Sequence, residues 1–532
     1  MQTKEFDYIV VGGGSAGCAV AGRLSENPEN RVALIEEGPS DWHPYIHLPV
    51  TVYKTAQGDL LQRFLQQPSP NSSRETHSMV QARVLGGGSS VNAMLYVRGI
   101  PDDYDNWQNL GADGWSYKDV LPYFTKSEHN DRLANDEHGQ GGPLGVSDPA
   151  FIHPLSRAWL KACQQAGLPY NADFNSGDQL GCGFYQTTTR DGRRCSSAVA
   201  FVHPARRRPN FGLFTQSRVT RLIIEKGRAK GVEVLRNGER HALYAQREVV
   251  VSAGAINSPR LLMLSGIGPA DQLRSVGIDV VHDLPGVGQN LQDHMDVYLT
   301  YHMNGPNSYD RYKRIGWKSL AALEYGLFKR GPVTSNIMEA GAFWWGDPTQ
   351  PTPDIQYVFL PGSGVEEGAP LSGGYGCTLN ACLTRPRSRG YVSLRSADPT
   401  VAPVIAPNYF SHPYDLESMG EAVRFGCEIM SQNALQGLVG KSHLPDKTLR
   451  TRSEFLEYAR RYAQGALHPA GTCRIGAETD RGSVLDPELR VRGILGLRVA
   501  DASVMPSLTS GNTNAPSIMI GERAAAFLSR QN

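Results

Sequence analysis

The sequence predicts an α/β fold in two parts, one built on a parallel sheet and one, of α+β type, on an antiparallel sheet with helices. The parallel part is indicated by a strand–turn–helix–strand pattern at residues 6–36 and by a further strand that enters a glycine turn near residue 250. Stretches of alternating polarity between about 295 and 465 indicate the antiparallel part. Because the parallel-sheet patterns lie far apart in the chain, we expect that domain to be assembled from discontinuous segments.

A glycine-rich turn follows the first apolar run, residues 6–11. Gly12, Gly14 and Gly17 have the GxGxxG spacing, and a second apolar run at 32–36 ends in an acid. In a βαβ unit Gly12 permits the tight turn, Gly14 lets backbone N–H groups approach a pyrophosphate, and Gly17 lets the helix pack close to the sheet. The pattern is the Rossmann-like fingerprint of a dinucleotide-binding domain.

The fingerprint also predicts which residues would contact the pyrophosphate and the adenosine ribose of the dinucleotide. A pyrophosphate would lie at the positive N-terminus of the helix that starts near Ser15. Glu36 would accept hydrogen bonds from the adenosine ribose hydroxyls, and an acid there disfavours a 2′-phosphate. The fingerprint alone does not separate a nicotinamide from a flavin dinucleotide.

Charge and cysteine content narrow the class of protein. The formal net charge is +1, from 53 basic and 52 acidic residues, so nothing favours nucleic acid as a partner. The eight cysteines form no CxxC pair and have no ligand-like spacing to histidine, so we predict no metal site. Reduced, buried thiols fit a cytoplasmic or membrane-associated protein. No signal peptide precedes the fingerprint and no apolar stretch approaches about 18 residues, so we expect no transmembrane segment.

The elements that follow the first βαβ unit are less regular. Residues 40–83 are predicted to be irregular, and the glycine run 86–90 to be a loop. Residues 221–225 and 231–235 are predicted to be antiparallel strands joined by a turn. The next strand, 248–255, enters a glycine turn, and a helix is expected from Pro259.

A helix with an apolar stripe is predicted at 317–330. Leu320, Leu323, Leu327 and Phe328 lie on one face of it, for which core or lid packing is the ordinary explanation. Lysine and arginine residues flank the stripe. The alternative is therefore peripheral contact with a membrane, which for a cytoplasmic protein would be on the inner face.

Five sequence blocks carry a resemblance to a known family. They are 83–92, 252–268, 466–476, 496–506 and 510–520. Together with the fingerprint they resemble the glucose–methanol–choline (GMC) oxidoreductases, in the expected order from Asp7 to Leu528. Within that family the chain is most similar to the branch of choline dehydrogenase and FAD-dependent L-sorbose dehydrogenase. The resemblance implies an FAD-dependent enzyme that oxidises alcohols.

The resemblance implies two catalytic positions. Removing a hydride from carbon leaves a proton on oxygen, and histidine is the side chain best suited to take it. His468 occupies the position of the family's catalytic histidine. Asn512 stands where some members have a second histidine; its amide would hold the substrate oxygen by a hydrogen bond. Glu339 could face the substrate, but we expect a structural salt bridge there.

The resemblance also implies the residues that hold FAD. The loop around 86–93 would contact the flavin ring, Val219 the adenine, and Asp501 the pyrophosphate and ribityl chain. The helix after Asn514 would direct its positive end at charge on the reduced flavin. The implied cofactor-binding residues are Gly12, Gly14, Ser15, Ala16, Gly17, Glu36, Glu37, Arg83, Gly87, Gly88, Ser90, Asn92, Ala93, Val219, Ala253, Asp501, Ala502, Asn514 and Pro516. Val91 stands where some choline oxidases carry the histidine that binds FAD covalently, so noncovalent FAD is expected.

We therefore predict an FAD-binding domain from 1–155, 196–300 and 465–532, and a substrate-binding domain from 156–195 and 301–464. The expected reaction is oxidation of a primary alcohol, such as L-sorbose or another sugar or polyol, with electrons passed to a quinone or an artificial acceptor. The alternatives are an oxidase that uses O2 on choline or on an aryl or alkyl alcohol, a nicotinamide dehydrogenase, and a flavin-containing lyase or non-redox protein. The oligomeric state stays open.

Overall fold

The computed structural model describes residues 5–55, 58–73, 78–363 and 374–530. The outer limits of the predicted FAD-binding domain, residues 1 and 532, lie outside the described residues. The α-helices are α1 Ser15–Leu24, α2 Pro44–His47, α3 Val52–Thr55, α4 Pro101–Asn109, α5 Tyr117–Ser127, α6 Pro154–Gln165, α7 His203–Ala205, α8 Gly254–Leu264, α9 Ala270–Ser275, α10 Ile315–Phe328, α11 Pro413–Met430, α12 Arg452–Tyr462 and α13 Asn514–Ser529.

The strands are also numbered in chain order. They are β1 Glu5–Val11, β2 Val32–Ile35, β3 Leu61–Leu65, β4 Ser78–Ala82, β5 Glu128–Asn130, β6 Leu144–Val146, β7 Gly181–Phe184, β8 Thr189–Arg190, β9 Arg193–Arg194, β10 Phe211–Phe214, β11 Arg218–Glu225, β12 Arg228–Arg236, β13 Glu239–Val251, β14 Ile267–Gly268, β15 His282–Asp283, β16 Gln289–Leu291, β17 Met295–Met303, β18 Ala340–Trp344, β19 Ile355–Leu360, β20 Gly376–Leu383, β21 Gly390–Ser393, β22 Val404–Ala406, β23 Val439–Leu444, β24 Gln464–Gly465 and β25 Leu497–Val499.

The parallel sheet is assembled from distant parts of the chain, as predicted. Its order is β10-β2-β1-β13-β12-β11, and β25 also pairs with β13. The pairs β1–β2, β1–β13 and β13–β25 are parallel, whereas β12 pairs antiparallel with β11, as predicted, and with β13, so one edge of the sheet is antiparallel. β2 is buried along its length, and so are the last residues of β1, Tyr8–Val11, and of β13, Val249–Val251, which is typical of parallel strands covered on both faces. The helices α1 and α13 pack against each other beside the sheet.

The second sheet is antiparallel, which also agrees with the sequence. Its order is β23-β17-β20-β19-β18-β7, with β24 paired to β17. The helices α6, α11 and α12 pack on it and share one apolar cluster with its strands. β17 belongs to this sheet from its first residue, Met295, so the domain boundary predicted at 300 falls within a strand. The domain limits themselves stay a prediction.

Three local predictions differ from the structure. Residues 40–83 are not irregular throughout, because β3 and β4 form an antiparallel hairpin in which Phe64 and Met79 are buried. Part of the predicted loop 86–90 is a 3-10 turn, Gly87–Ser90. α8 begins at Gly254, so Pro259 lies inside the helix rather than at its start.

The predicted apolar helix exists as α10, but its expected packing is wrong. Ala321 is the one residue of α10 that is buried, and the predicted stripe faces outward. Along the described part of the chain, no helix combines the length and the apolar composition needed to cross a bilayer. The eight cysteines are free and none of them is exposed.

Candidate active site

A cavity of about 520 Å³ lies between the parallel and the antiparallel sheet. One side is formed by the carboxyl ends of β1, β2 and β13 with the first turns of α1 and α13, and the opposite side by residues of β17, β19 and β20. Ligands of parallel α/β sheets bind at the carboxyl ends of the strands, so the position is the expected one. Its volume is in the usual range for small-molecule sites.

Most of the predicted cofactor residues line this cavity. They are Gly12, Gly14, Ser15, Ala16, Glu36, Glu37, Arg83, Gly87, Gly88, Asn92, Ala93, Val219, Ala253, Asp501, Ala502 and Asn514. Gly17, Ser90 and Pro516 do not lie on its wall, and all three are buried. A Cβ atom on Gly17 would lie 2.0 Å from the carbonyl oxygen of Gly12, and the Ser90 hydroxyl donates to the carbonyl of Leu85 at 2.7 Å.

The glycine turn and two helix N-termini fit an anionic ligand. Gly12 has a positive φ of 102°, and a Cβ atom there would lie 2.4 Å from the carbonyl oxygen of Ser252. Neither α1 nor α13 has an acidic residue in its first turn or a capping side chain, so their first N–H groups remain available to a ligand. The two helices start side by side, since the Ser15 hydroxyl donates to Asn514 Oδ1 at 2.8 Å. The donors suit a pyrophosphate and a flavin anion.

Two acids of the cavity wall are held by the protein itself. Glu36 accepts backbone N–H groups from Gly13 at 2.9 Å and Gly38 at 2.7 Å, and burial raises its pKa to about 7. Asp501 accepts the Ser258 hydroxyl at 2.5 Å and the Gly254 N–H at 2.9 Å, and burial raises its pKa too. Each carboxylate oxygen can accept more than one bond, so these contacts leave acceptors for ribose or ribityl hydroxyls.

Arg194, for which the sequence predicted no role, lies outside the cavity and binds the loop that contains Asn92, one of the lining residues. Its guanidinium donates to Asn92 Oδ1 at 2.7 Å and to the carbonyl oxygens of Ser89 and Ile46 at 3.0 and 2.7 Å. Arg194 is buried and forms no ion pair with a described acid, and burial lowers its pKa to about 9. The Asn92 carboxamide is thereby oriented, because its oxygen also accepts the N–H of Met94.

The two predicted catalytic residues meet in the cavity, where a second histidine orients the first. His294 Nε2 lies 3.1 Å from the carbonyl oxygen of Thr509, which can only accept, so Nε2 carries the proton. Burial, and then the charge of His468, hold the pKa of His294 well below its ordinary value, so the ring is neutral and its Nδ1 is an acceptor. His468 Nδ1 lies 3.0 Å from it and therefore donates. The remaining nitrogen of His468, Nε2, is left unprotonated.

The unprotonated nitrogen faces Asn512. The Asn512 oxygen accepts Gln356 Nε2 at 3.2 Å, so its amide nitrogen is the atom that lies 3.4 Å from His468 Nε2. Burial lowers the pKa of His468 to about 4, which keeps the ring neutral at physiological pH. The backbone N–H of His468 donates to Asp293 at 2.8 Å, and burial raises the pKa of that carboxyl to about 7. A neutral base and an amide donor thus face the same space.

The wall from the antiparallel sheet is polar in part, since Val358 and Leu360 of β19 also line it. Asp296 Oδ2 accepts the hydroxyl of Tyr298 at 2.9 Å and the amide of Asn380 at 2.8 Å, and Gln464 donates to Tyr298 at 3.1 Å. All four line the cavity. None was predicted, although the polar run Gln-Asp-His-Met-Asp at 292–296, next to an apolar strand, was a visible signal.

Glu339 does not form the expected salt bridge. Its carboxyl group is fully buried and accepts the hydroxyls of Tyr309, Ser335 and Ser156 at 2.5 to 2.6 Å. Burial raises the pKa of Glu339, and three hydroxyl donors replace the cation that the sequence suggested. Its role is structural, as expected, but by a different interaction.

Comparison with known proteins decides the family. A model of the GMC oxidoreductase N-terminal region matches residues 6–296, and a model of the C-terminal region matches residues 386–521. The chain belongs to the GMC oxidoreductase family. The predicted resemblance and fold class are confirmed, and so is the expectation of a flavoprotein that binds FAD, which sets the nicotinamide alternative aside.

Relatives of this GMC oxidoreductase cover nearly its whole length. The chain is 43% identical over 520 residues to the oxygen-dependent choline dehydrogenase of Sinorhizobium medicae (strain WSM419), covering 98% of this chain and 94% of the relative. It is 40% identical to the alcohol dehydrogenase [acceptor] of Pseudomonas putida, covering 99% and 96%. A structure of Aspergillus oryzae RIB40 formate oxidase, made to study modification of its FAD, has a TM-score of 0.93 at 28% identity and covers 100% of this chain and 99% of that chain.

Proposed function

We propose that this GMC oxidoreductase oxidises a primary alcohol to the aldehyde, with His468 as the base. The observation that carries the proposal is the tautomer of His468, whose unprotonated Nε2 faces the cavity beside the amide of Asn512. FAD, when bound, supplies the acceptor for the hydride that leaves the alcohol carbon. The names of the relatives, choline dehydrogenase and alcohol dehydrogenase [acceptor], support an alcohol as substrate.

The chain's own residues position the alcohol and take its proton. The Asn512 amide donates to the alcohol oxygen, and the O–H group of the alcohol donates to His468 Nε2. As the carbon loses its hydride the proton passes to Nε2, and R–CH2–OH becomes R–CHO. His468 Nδ1 keeps its hydrogen bond to His294 throughout, which holds the ring in place. Asn512 has no useful pKa near neutrality, so His468 is the sole base.

The polar part of the wall from the antiparallel sheet favours a polyhydroxy alcohol such as L-sorbose or another sugar or polyol. Asp296, Asn380 and Gln464 offer acceptors and donors in the same wall, as hydroxyl groups require. A cationic alcohol such as choline is the second candidate, because Asp296 supplies a carboxyl group and several relatives are choline dehydrogenases. Sites for quaternary ammonium groups usually have several aromatic rings, whereas Tyr298 is the one aromatic among the described lining residues.

The cofactor is proposed to be noncovalent, because Val91 lines the cavity at the position of the covalent histidine and a valine side chain cannot form that link. Electrons would leave to a quinone or an artificial acceptor, and the location would be cytoplasmic. Use of O2 by an oxidase is the alternative acceptor chemistry, and a flavin-containing lyase or non-redox protein is the alternative of another class.

One experiment tests the reaction and separates these alternatives. The purified, yellow protein is mixed anaerobically with L-sorbose, other polyols, choline, and aryl and alkyl alcohols, and the flavin absorbance is followed. We expect rapid bleaching by a polyhydroxy primary alcohol, and slow return of colour when oxygen is admitted. Bleaching by choline alone would favour the second candidate, and fast reoxidation by O2 would favour an oxidase. Failure of every alcohol to bleach the flavin would contradict the proposal.

A further inference from the structure

Helix α10 exposes a continuous apolar surface. Ile315 is 83% exposed, and Leu320, Leu323, Leu327 and Phe328 are each between 58% and 65% exposed. Single exposed apolar residues are ordinary, but a whole helix of them marks a surface that contacts something else. The sequence suggested core or lid packing for this stripe, and the structure shows no such cover from the described residues.

Positive charge surrounds this apolar surface. Residues 311–330 contain six Lys and Arg residues and one acid, Glu324, so the segment has a net charge of six minus one, or +5, whereas the whole chain has +1. Three of these cations lie over aromatic rings at the two ends of the helix. The distances from the cationic group to the ring centroid are 3.7 Å for Arg311 over Trp317, 4.7 Å for Lys329 over Tyr325 and 4.9 Å for Arg330 over Phe328. Tryptophan, tyrosine and cation stems are typical of the membrane interface.

We propose that residues 311–330 form a docking surface for a membrane that contains anionic phospholipid. The apolar side chains would enter the boundary between headgroups and acyl chains, and the lysine and arginine side chains would contact the lipid phosphates. The 14 residues of α10 give a length of about 21 Å, which is too short for the roughly 30 Å of a bilayer core. The helix therefore lies on the membrane and does not span it.

Charge argues against a second copy of this chain as the occupant. Two such surfaces in contact would bring two segments of net charge +5 together, which is unfavourable, whereas an anionic bilayer has the complementary charge.

The α10 surface is also close to the cavity. The short turn Pro332–Thr334, which follows α10 and packs against it, also packs against Pro49–Thr51, and the next residue, Val52 of α3, lines the cavity. Docking through α10 brings the cavity close to the bilayer, independently of which alcohol it takes.

Co-sedimentation of the flavin-loaded, full-length protein with lipid vesicles tests the docking surface. The vesicles contain either phosphatidylcholine alone or a mixture with phosphatidylglycerol. We expect binding to the mixture that weakens as salt is raised, and much weaker binding to phosphatidylcholine. The combined substitution Leu320→Ser, Leu323→Ser and Leu327→Ser should weaken binding by about a hundredfold or more, because each leucine loses most of its gain from burial.

A second variant acts on charge without removing apolar surface. Lys318→Glu with Lys329→Glu should weaken binding to the anionic vesicles by about tenfold or more, since each cation near such a surface contributes roughly a factor of five. The matched controls carry the same kinds of substitution at exposed positions elsewhere: Leu65→Ser, Leu110→Ser and Leu495→Ser in one variant, and Lys118→Glu with Lys226→Glu in the other.

The outcomes decide between the occupants. Both α10 variants should lose vesicle binding while the controls keep it, and all four should retain FAD and reduction of a soluble dye by alcohol. Wild-type protein that ignores both kinds of vesicle would overturn the proposal, as would α10 variants that bind as well as the controls. A wild-type dimer in size-exclusion chromatography that becomes monomeric in the α10 variants would assign the surface to a second copy and also overturn it.

Discussion

His294 is expected to govern catalysis without touching the substrate. It accepts the Nδ1 proton of His468 at 3.0 Å and donates to the carbonyl of Thr509 at 3.1 Å, which leaves His468 Nε2 free to act as the base. In His294→Leu both bonds are lost, and the His468 proton is free to move to Nε2. A buried hydrogen bond between neutral groups whose loss leaves a partner unsatisfied is worth about 1–3 kcal/mol. Reduction of the flavin by alcohol should therefore slow by roughly 5- to 150-fold.

The assay is rapid mixing under anaerobic conditions, with the flavin absorbance followed over a range of pH. His294→Leu should reduce the rate constant and leave the pH dependence unchanged, because leucine keeps His468 buried. His294→Asn is the matched variant: its side-chain oxygen can take the place of Nδ1 as acceptor, so part of the rate should return. Wild-type flavin reduction in His294→Leu, or equal losses in both variants, would refute the tautomer argument.

The other predictions concern the base, its amide partner and the cofactor. His468→Ala should retain FAD and slow flavin reduction by about 10²–10⁴-fold; near-normal reduction would remove it as the base. In the wild type a neutral His468 is needed, so the rate of flavin reduction should fall only as pH drops through its pKa of about 4. In the unfolded chain the same ring binds its proton at about pH 6.5. The stability that the buried neutral ring contributes is therefore complete above about pH 6.5 and is lost as pH falls towards 4, which acid unfolding monitored by circular dichroism would detect. Asn512→Ala should slow reduction of the flavin because the alcohol is misplaced, and the pH profile should still show the single ionisation of His468. A variant whose pH profile lacks that ionisation would contradict the roles assigned here, His468 as base and Asn512 as the amide that positions the alcohol. With Val91 in place of a histidine, acid precipitation should release the yellow colour into the supernatant, and colour kept in the pellet would show a covalent link.

The α10 helix shows how far periodicity alone can be trusted. The apolar spacing predicted a helix at 317–330, and α10 covers Ile315–Phe328. The same spacing also suggested core packing, which is wrong. Periodicity reports which side chains share a face of a helix, but the cover of that face depends on segments that are distant in sequence.

By itself, the sequence determined the fold class, and most of the residues that it assigned to the cofactor line the cavity. The strand–glycine–helix pattern is local, because the turn at Gly12 and the pairing of β1 with β2 depend on residues close together in the chain. The resemblance assigned His468 and Asn512 to one active site, and they lie 3.4 Å apart in the structure; their catalytic roles stay a prediction. Each of these conclusions rests on a short motif that is recognised from residues close together in the chain.

Only the tertiary structure decided how the site works. His294 lies 174 residues from His468 in the chain, and Arg194 lies 102 residues from the Asn92 that it orients. Asp296 meets Asn380 because β17 pairs with β20. A tautomer or a lowered pKa depends on burial and on hydrogen-bond partners a few ångströms away. Those partners come from separate segments, and they become neighbours only when the two sheets close around the cavity.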